Sequence, residues 1–218
     1  MKTIFWIIVV IVIGVIGYFV YSTEIEIPVV VGPSATTTSE ADLPQIIPDV
    51  PSVKYTDPRY NFSIYYPSTA TVRAAGFDGY LPLTQTPVVA FTLNPDMFQG
   101  TNLSDAGVYV GATSTPAIVA NCTNADQNSG ETAATSSVTV GSVTFNEFDS
   151  TGAAAGNIYQ EKIFRSVVDG SCLEFVELLH SGNIDNYPSG TVTAFDEAEF
   201  SGILDAMFNT LAVSNTKL

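Results

Sequence analysis

The side chain best suited to proton transfer in this chain is His180, the only histidine among 218 residues. It ends the apolar run CLEFVELLH (172–180) and precedes the oxygen-rich turn NIDNYPSG (183–190). A serine–histidine or cysteine–histidine mechanism would need this imidazole, yet no nucleophile elbow, H-E-x-x-H or phosphate-binding glycine motif accompanies it. We therefore predict no catalytic, cofactor-binding or metal-binding residues. Two interpretations of His180 stay open: a hydrogen-bonded strand end, or a ligand-facing surface with Asn183, Asp185 and Asn186.

Two glutamates, Glu174 and Glu177, lie three residues apart in the same apolar run. Because side chains alternate between the two faces of a strand, their carboxylates point in opposite directions and cannot form a catalytic pair. Buried acids require partners, and the preceding predicted strand carries Lys162 and Arg165. We expect at least one glutamate to pair with one of these two cations.

The chain has two cysteines, Cys122 and Cys172. An even number of cysteines in an oxidising compartment favours a disulfide, and two buried free thiols are the alternative. A metal site is disfavoured because the pair lacks C-x-x-C spacing and only one histidine could assist. We predict the Cys122–Cys172 bond.

Alternating apolar and polar residues predict a series of strands joined by short turns. We place them at residues 60–66, 71–74, 88–93, 107–113, 138–148, 157–168 and 172–180. The second is expected to pair with the first, and the last, being the most apolar, to lie at the centre of the sheet. The small polar segment 121–137 is predicted as an exposed loop, and GAAAG (152–156) as a flexible turn.

The clearest local signal is a helix near the C-terminus. Asp196 with Glu199 three residues later is a variant capping box, and Phe195 and Phe200 occupy the hydrophobic-staple positions. An apolar stripe follows at helical spacing, formed by Phe200, Ile203, Leu204, Met207, Phe208 and Leu211. The predicted fold is α+β: an antiparallel sheet of five to seven strands packed by this amphipathic helix.

The segment YTDPRYNFSIYYP (55–67) resembles the opening strand of PsbP/Mog1-like domains, which follows a Y-D…GF-S-I-x-Y-P pattern. The closing helix after an apolar strand is similar to the C-terminal element of that family, although Asn61 stands where glycine is common. The resemblance implies an α-β-α sandwich around an antiparallel sheet. It also implies an accessory or assembly factor without catalysis. The family's metal and photosystem residues have no counterpart that we can place, so none is carried over.

The N-terminus begins with an apolar run of 18 residues from Ile4 to Tyr21, long enough to cross a bilayer as a helix. Lys2 precedes it and Glu24 and Glu26 follow, so the positive-inside rule places the N-terminus in the cytoplasm and the rest outside. Aromatic residues at its end are poor cleavage sites, which favours a retained anchor over a cleaved signal. We predict an anchor (1–22), a proline- and threonine-rich linker (23–53) and an extracytoplasmic domain (54–218).

Residues 54–218 carry 6 basic and 17 acidic side chains, a net charge of −11. Such a surface repels phosphate backbones, which argues against nucleic acid as a partner. Our leading hypothesis is a non-enzymatic module, anchored in the membrane through residues 4–21, that binds or helps to assemble another envelope protein. The alternatives are a solute- or cation-binding domain, a hydrolase using His180, and a structural envelope subunit.

Overall fold

Ten strands, paired antiparallel, form two sheets within residues 43–213, the part of the chain that the computed structural model describes. A small sheet has the order β1-β2-β10, formed by β1 (Ser52–Asp57), β2 (Phe62–Pro67) and β10 (Ala212–Val213). The main sheet has the order β3-β4-β5-β9-β8-β7-β6. Its strands are β3 (Thr71–Arg73), β4 (Pro87–Thr92), β5 (Leu103–Thr113), β6 (Ser136–Val140), β7 (Val143–Ala154), β8 (Asn157–Val168) and β9 (Ser171–Gly182). The apolar strand β9 is central, as predicted.

One face of the main sheet, here called the helix face, is covered by the small sheet and by α2 (Glu197–Phe208). The side chain of Asp196 accepts a hydrogen bond from the backbone N–H of Glu199 at 3.2 Å, so the predicted cap is present. The predicted apolar stripe of the helix is buried. At its centre the ring of Phe208 stacks on Phe164 with centroids 3.8 Å apart. Burial of each such side chain stabilises the fold by about 1.5–3 kcal/mol.

The opposite face, here called the loop face, buries Tyr109, Phe148 and Ile163 beneath Phe77 and Leu81. Part of its cover is a 3-10 turn (Asp78–Tyr80) and the loop that follows. Glycines and a proline in residues 76–82 oppose a longer helix there. Within residues 43–213 the sandwich that the resemblance implied therefore has a long helix on one face only; α1 (Pro116–Val119) is one turn.

A buried charge network fixes the segment after α1 to the loop face. Arg165 contacts Glu131 and donates to the carbonyl of Asn124 at 3.0 Å. Its guanidinium also lies over the ring of Phe148, 4.4 Å from the centroid. The predicted Cys122–Cys172 disulfide is present, with Cα atoms 5.6 Å apart, and ties the start of the segment to β9.

Two loop predictions are wrong in part. Segment 121–137 is not simply an exposed loop, because Cys122 and Glu131 are buried in it and residues 136–137 begin β6. Residues 152–154 belong to β7, and the turn consists only of Ala155 and Gly156, both with positive φ. Residues 152–154 are too small to show an alternation of apolar and polar side chains, although their backbone groups pair regularly with β8.

The predicted partner of β3 is also wrong. Residues Thr71–Arg73 pair with β4 in the main sheet, whereas β2 pairs with β1 and β10 in the small sheet. The residues between β2 and β3 therefore connect two sheets instead of forming a hairpin. Local alternation indicated both strands but carried no information about which sheet each one joins.

The packed region begins inside the predicted linker. Strand β1 starts at Ser52, and Ser52 Oγ donates to the carbonyl of Pro44 at 2.5 Å. Ile46 is buried in the core of the helix face. The predicted anchor, 1–22, and most of the linker lie outside the described residues. Within residues 43–213 no helix is both long and apolar enough to span a membrane.

Candidate functional site

Among residues 43–213, no strand pairs with the outer edge of β7 beyond Glu147, because β6 pairs only with residues Val143 to Glu147. On the side of β7 that faces away from β8, the backbone N–H of Thr135 donates to the carbonyl of Glu147, and that of Thr132 donates to the carbonyl of Asp149. Alternate residues of a strand direct their main-chain groups to the same side, so Thr151 and Ala153 also point outward. No residue in the described range bonds to these groups of Thr151 or Ala153.

Residues Thr151 to Ala154, here called the free edge, are all exposed and small. Proteins ordinarily protect sheet edges with lysine, proline, bulges or a covering segment. The free edge has no lysine or proline, and its pairing with β8 is regular from Asn146 to Ala154. It therefore presents main-chain donors and acceptors on which a further strand can form.

The four side chains singled out from the sequence lie beside the turn that ends the β7–β8 hairpin. The carbonyl of Gly156 accepts from the backbone N–H of Asn183 at 2.8 Å and from Nδ2 of Asn186 at 3.3 Å. Asn183 Oδ1 in turn accepts from the backbone N–H of Asp185 at 3.1 Å. These residues therefore brace the hairpin, and none of them lines either of the clefts described below.

His180 is part of the same brace. Its ring stacks on Tyr159 of β8, with centroids 4.4 Å apart and planes 6° from parallel. Its Nε2 lies 3.1 Å from Oδ1 of Asn157, the first residue of β8. The imidazole thus fixes the ring of Tyr159 and the start of β8.

On the helix face, a cleft of about 250 Å³ opens between α2 and strands β7, β8 and β9. We call it the acidic cleft, because its lining includes Asp149, Glu161, Glu177 and Glu197 and only one cation, Lys162. Lys162 Nζ lies 2.5 Å from Oδ1 of Asp205 and 3.8 Å from Oε2 of Glu177.

Glu177 is the most unusual group in the acidic cleft. Its side chain is 3% exposed. Burial raises the pKa of Glu177 to about 9; the carboxylate of Asp205 adds to the increase and Lys162 opposes it. In the part of the chain that the structure describes, no group donates a hydrogen bond to Oε1 of Glu177. Its neighbour Asp205 is a second carboxylate, which can interact favourably with it only by sharing a proton.

Each of the two cations of β8 lies opposite a glutamate of β9. Lys162 lies opposite Glu177 and Arg165 lies opposite Glu174, on opposite faces of β8 and β9. The prediction that these glutamates point apart and meet those cations is confirmed. Although burial opposes its charge, the hydrogen bond to Asp205 and the charge of Glu177 raise the pKa of Lys162.

On the loop face, a shallower cleft of about 450 Å³ adjoins the other side of the free edge. We call it the tyrosine groove; its lining includes Tyr80, Pro82, Ser129, Gly152, Tyr159 and Glu161. Burial raises the pKa of Glu161, and the carboxylates of Glu131 and Glu174 add to the increase. Aromatic surfaces beside a carboxylate suit apolar or cationic groups.

Together these features form a recognition surface: a hydrogen-bonding edge with an acidic cleft on one face and an aromatic groove on the other. Sequence reasoning did not identify the free edge, Glu161 or Tyr159 as parts of a site. The sequence predicted only a strand over residues 157–168, and nothing in that pattern shows that one of its faces remains open. In residues 43–213 no three histidine, cysteine, aspartate or glutamate side chains are grouped so as to hold a metal ion.

No protein-family model matches the chain, and no curated protein matches it in sequence. It is similar to the solution structure of cyanobacterial PsbP (CyanoP) from Synechocystis sp. PCC 6803, with a TM-score of 0.46 and 10% identity, covering 84% of this chain and 99% of that one. It is also similar to a crystal structure from Bacteroides thetaiotaomicron VPI-5482, with a TM-score of 0.39 and 15% identity over 74% of this chain. The chain spans about half, 48%, of that second protein. The structural comparison thus returns PsbP, the family that residues 55–67 resemble, and at this level of similarity the likeness concerns the fold alone.

Proposed function

We propose that this chain is a non-enzymatic, membrane-anchored binding module that takes up an extended segment of another envelope protein at the free edge. The observation that carries the proposal is the pair of outward-facing, unbonded main-chain positions at Thr151 and Ala153. An extended peptide that adds to such an edge gains main-chain hydrogen bonds, and clefts on either side select its side chains.

The charge around the free edge favours a basic segment as the occupant. Asp149 and Glu197 are exposed carboxylates in the acidic cleft, and Glu161 is a carboxyl group on the loop face, in the tyrosine groove. A second copy of this chain would bring the same carboxylates against them, and like charges at an interface oppose association. We therefore assign the edge to a lysine- or arginine-containing segment of a different protein.

The location outside the cytoplasm is supported by the sequence. The apolar run from Ile4 to Tyr21 and the acidic residues after it favour a single-pass anchor with an exported domain. The disulfide Cys122–Cys172 is typical of an oxidising compartment. Protease added to intact cells is expected to remove the domain and leave the N-terminus protected. Full protection of the domain would contradict this location.

Strand addition can be tested with a probe peptide of about seven residues, the length of an ordinary strand, in which lysine alternates with threonine. We expect the peptide to protect the amides of Thr151 and Ala153 from hydrogen exchange in the full chain. A peptide in which glutamate replaces lysine is expected to give no protection, because its charge matches that of the surface.

Two proline variants provide a matched comparison. Thr151→Pro removes an outward N–H from the free edge, and Thr139→Pro is designed to remove one from the outer edge of β6, where Thr139 faces Thr144. Proline at such positions is tolerated in edge strands. We expect Thr151→Pro to weaken the lysine peptide about fivefold or more, and Thr139→Pro to have no effect. Equal affinity of both variants, or protection at β6 instead, would refute binding at the free edge.

A further inference from the structure

We propose that the acidic cleft is a binding site for a primary ammonium group carried on an apolar stem. The starting observation concerns Glu177, which lines the cleft: its Oε1 is buried, and no group within residues 43–213 donates a hydrogen bond to it. A buried carboxylate oxygen without a donor is costly, so Glu177 holds a proton in the free protein, and a ligand that donates to Oε1 can take the place of that proton. This site is separate from strand addition and can exist without it.

The geometry distinguishes an ammonium from a guanidinium. A guanidinium binds best when two parallel N–H groups meet both oxygens of a carboxylate. Oε2 of Glu177 already faces Lys162 at 3.8 Å, so only Oε1 is free. A single-point donor matches that arrangement. A metal ion shared by Glu177 and Asp205 would have to displace Lys162 from both side chains, whereas a donor that reaches only Oε1 leaves both contacts of Lys162 in place.

The rest of the lining suits a charged head with an apolar stem. Leu179 and Leu204 supply apolar surface, while Asp149 and Glu197 add negative charge. Lysine-like groups bury their methylene stems along such surface. The volume of about 250 Å³ is below the range of cavities that hold drug-sized ligands, and it fits a small alkylamine or a single lysine side chain.

Binding is expected to release a proton. With its pKa raised to about 9, Glu177 is protonated near neutral pH. An incoming ammonium favours the carboxylate form, so the proton leaves Oε1 for solvent and the N–H of the ligand replaces it. The charged groups that face or influence Glu177 from the packed elements are Lys162 on β8, Glu147 and Asp149 on β7, and Glu197 and Asp205 on α2.

The test uses n-pentylamine, with n-pentanol as the uncharged control of the same length. Titration of the full chain is expected to give saturable amide shifts at Glu177, Leu179 and Leu204 with a Kd of about 1 mM. Calorimetry in buffers of different ionisation enthalpy is expected to show release of up to one proton per bound amine near neutral pH. Pentanol is expected to give neither signal.

Glu177→Gln keeps the shape of the side chain and removes its ability to ionise, and Glu199→Gln is the same change at an exposed position of α2. We expect Glu177→Gln to weaken amine binding about tenfold and to abolish proton release, and Glu199→Gln to change neither. Absence of saturable shifts up to about 50 mM amine, or unchanged binding by Glu177→Gln, would overturn the proposal.

A peptide with one internal lysine separates the two sources of such a group. If a partner protein supplies the ammonium, this peptide binds more tightly than pentylamine and loses binding when its lysine is acetylated. If a free amine is the ligand, pentylamine binds more tightly. Both outcomes retain the site, and equal binding of the acetylated peptide excludes the ammonium as the recognised group.

Discussion

Arg165 and Glu174 lie directly opposite each other on β8 and β9, and both side chains are completely buried, with Nη1 3.7 Å from Oε1. Burial raises the pKa of Glu174 despite three hydrogen bonds from the backbone of Leu83 and from Thr84. Glu131 provides the second carboxylate for Arg165 from a segment without regular secondary structure. A charge pair at the centre of the sheet thus attaches loops from two sides, at residues 83–84 and 124–131.

Glu131→Gln is expected to lower the free energy of unfolding by about 2–3 kcal/mol. The substitution leaves a fully buried guanidinium with only one remaining counter-ion, and breaking a buried pair is strongly destabilising. Denaturant unfolding of the full chain measures the change, with Glu199→Gln as the exposed control expected to stay within about 0.5 kcal/mol of the wild type. Hydrogen exchange should also increase in residues 124–135. Equal stability of the two variants would show that Glu131 does not hold this segment.

Removal of the disulfide is expected to lower the free energy of unfolding by about 4 kcal/mol. The sequence separation of the cysteines is 50 residues, and closing a loop of that size restricts the unfolded chain accordingly. The double substitution Cys122→Ala, Cys172→Ala and chemical reduction of the wild type should give the same loss in denaturant unfolding. Reductant should have no effect on the double variant; an effect there would mean that reduction acts elsewhere.

The stability of the protein is expected to depend on Glu177 above about pH 4.5. The pKa of Glu177 is about 9 in the folded chain and 4.5 for an unperturbed glutamate side chain, so the folded state holds the proton more tightly. Between these values the folded state binds more protons than the unfolded state, and stability therefore falls as pH rises. The slope for one full group is about 1.4 kcal/mol per pH unit.

Glu177→Gln removes this titration. We expect the variant to gain stability relative to the wild type as pH increases from about 5 to about 9. Denaturant unfolding at several pH values measures the difference, and Glu199→Gln should follow the wild-type curve. Parallel curves for Glu177→Gln and the wild type would contradict the raised pKa.

The brace of the β7–β8 hairpin can be tested at Gly156 and Asn186. A Cβ atom at Gly156, where φ is +84°, would lie 2.5 Å from Nδ2 of Asn186. Gly156→Ala is therefore expected to cost about 1–2 kcal/mol. In an Asn186→Ala background the contact is gone and only the backbone strain remains, so the cost should fall by about 0.5–1 kcal/mol. Additive effects in this double-mutant cycle would show that Asn186 does not contact the turn.

Elements with a clear period were predictable from the sequence. The apolar stripe of α2 and the alternation in β8 and β9 can be read from neighbouring residues without knowledge of distant contacts. The opposite orientation of Glu174 and Glu177 follows from strand geometry alone. The Cys122–Cys172 bond was predictable because only one intramolecular pairing exists.

What the sequence did not reveal depends on contacts between distant segments. Glu131 is one acid in a polar segment, and its burial is imposed by Arg165, 34 positions later. Thr151 to Ala154 have no side-chain pattern, so their role as an open edge depends on where β6 stops. His180 was considered for a ligand surface because of its residue type, whereas its position opposite Tyr159 decides what it contacts.

The free edge of β7 also affects whether the protein self-associates at high concentration. With a formal net charge of −15 for the whole chain, copies repel one another at neutral pH and low salt. At about 1 M salt that repulsion extends only about 3 Å, and in acid the carboxylates lose their charge. Copies are then expected to associate through their free edges. The solubility of a stored sample therefore depends on salt concentration and pH as much as on folding stability.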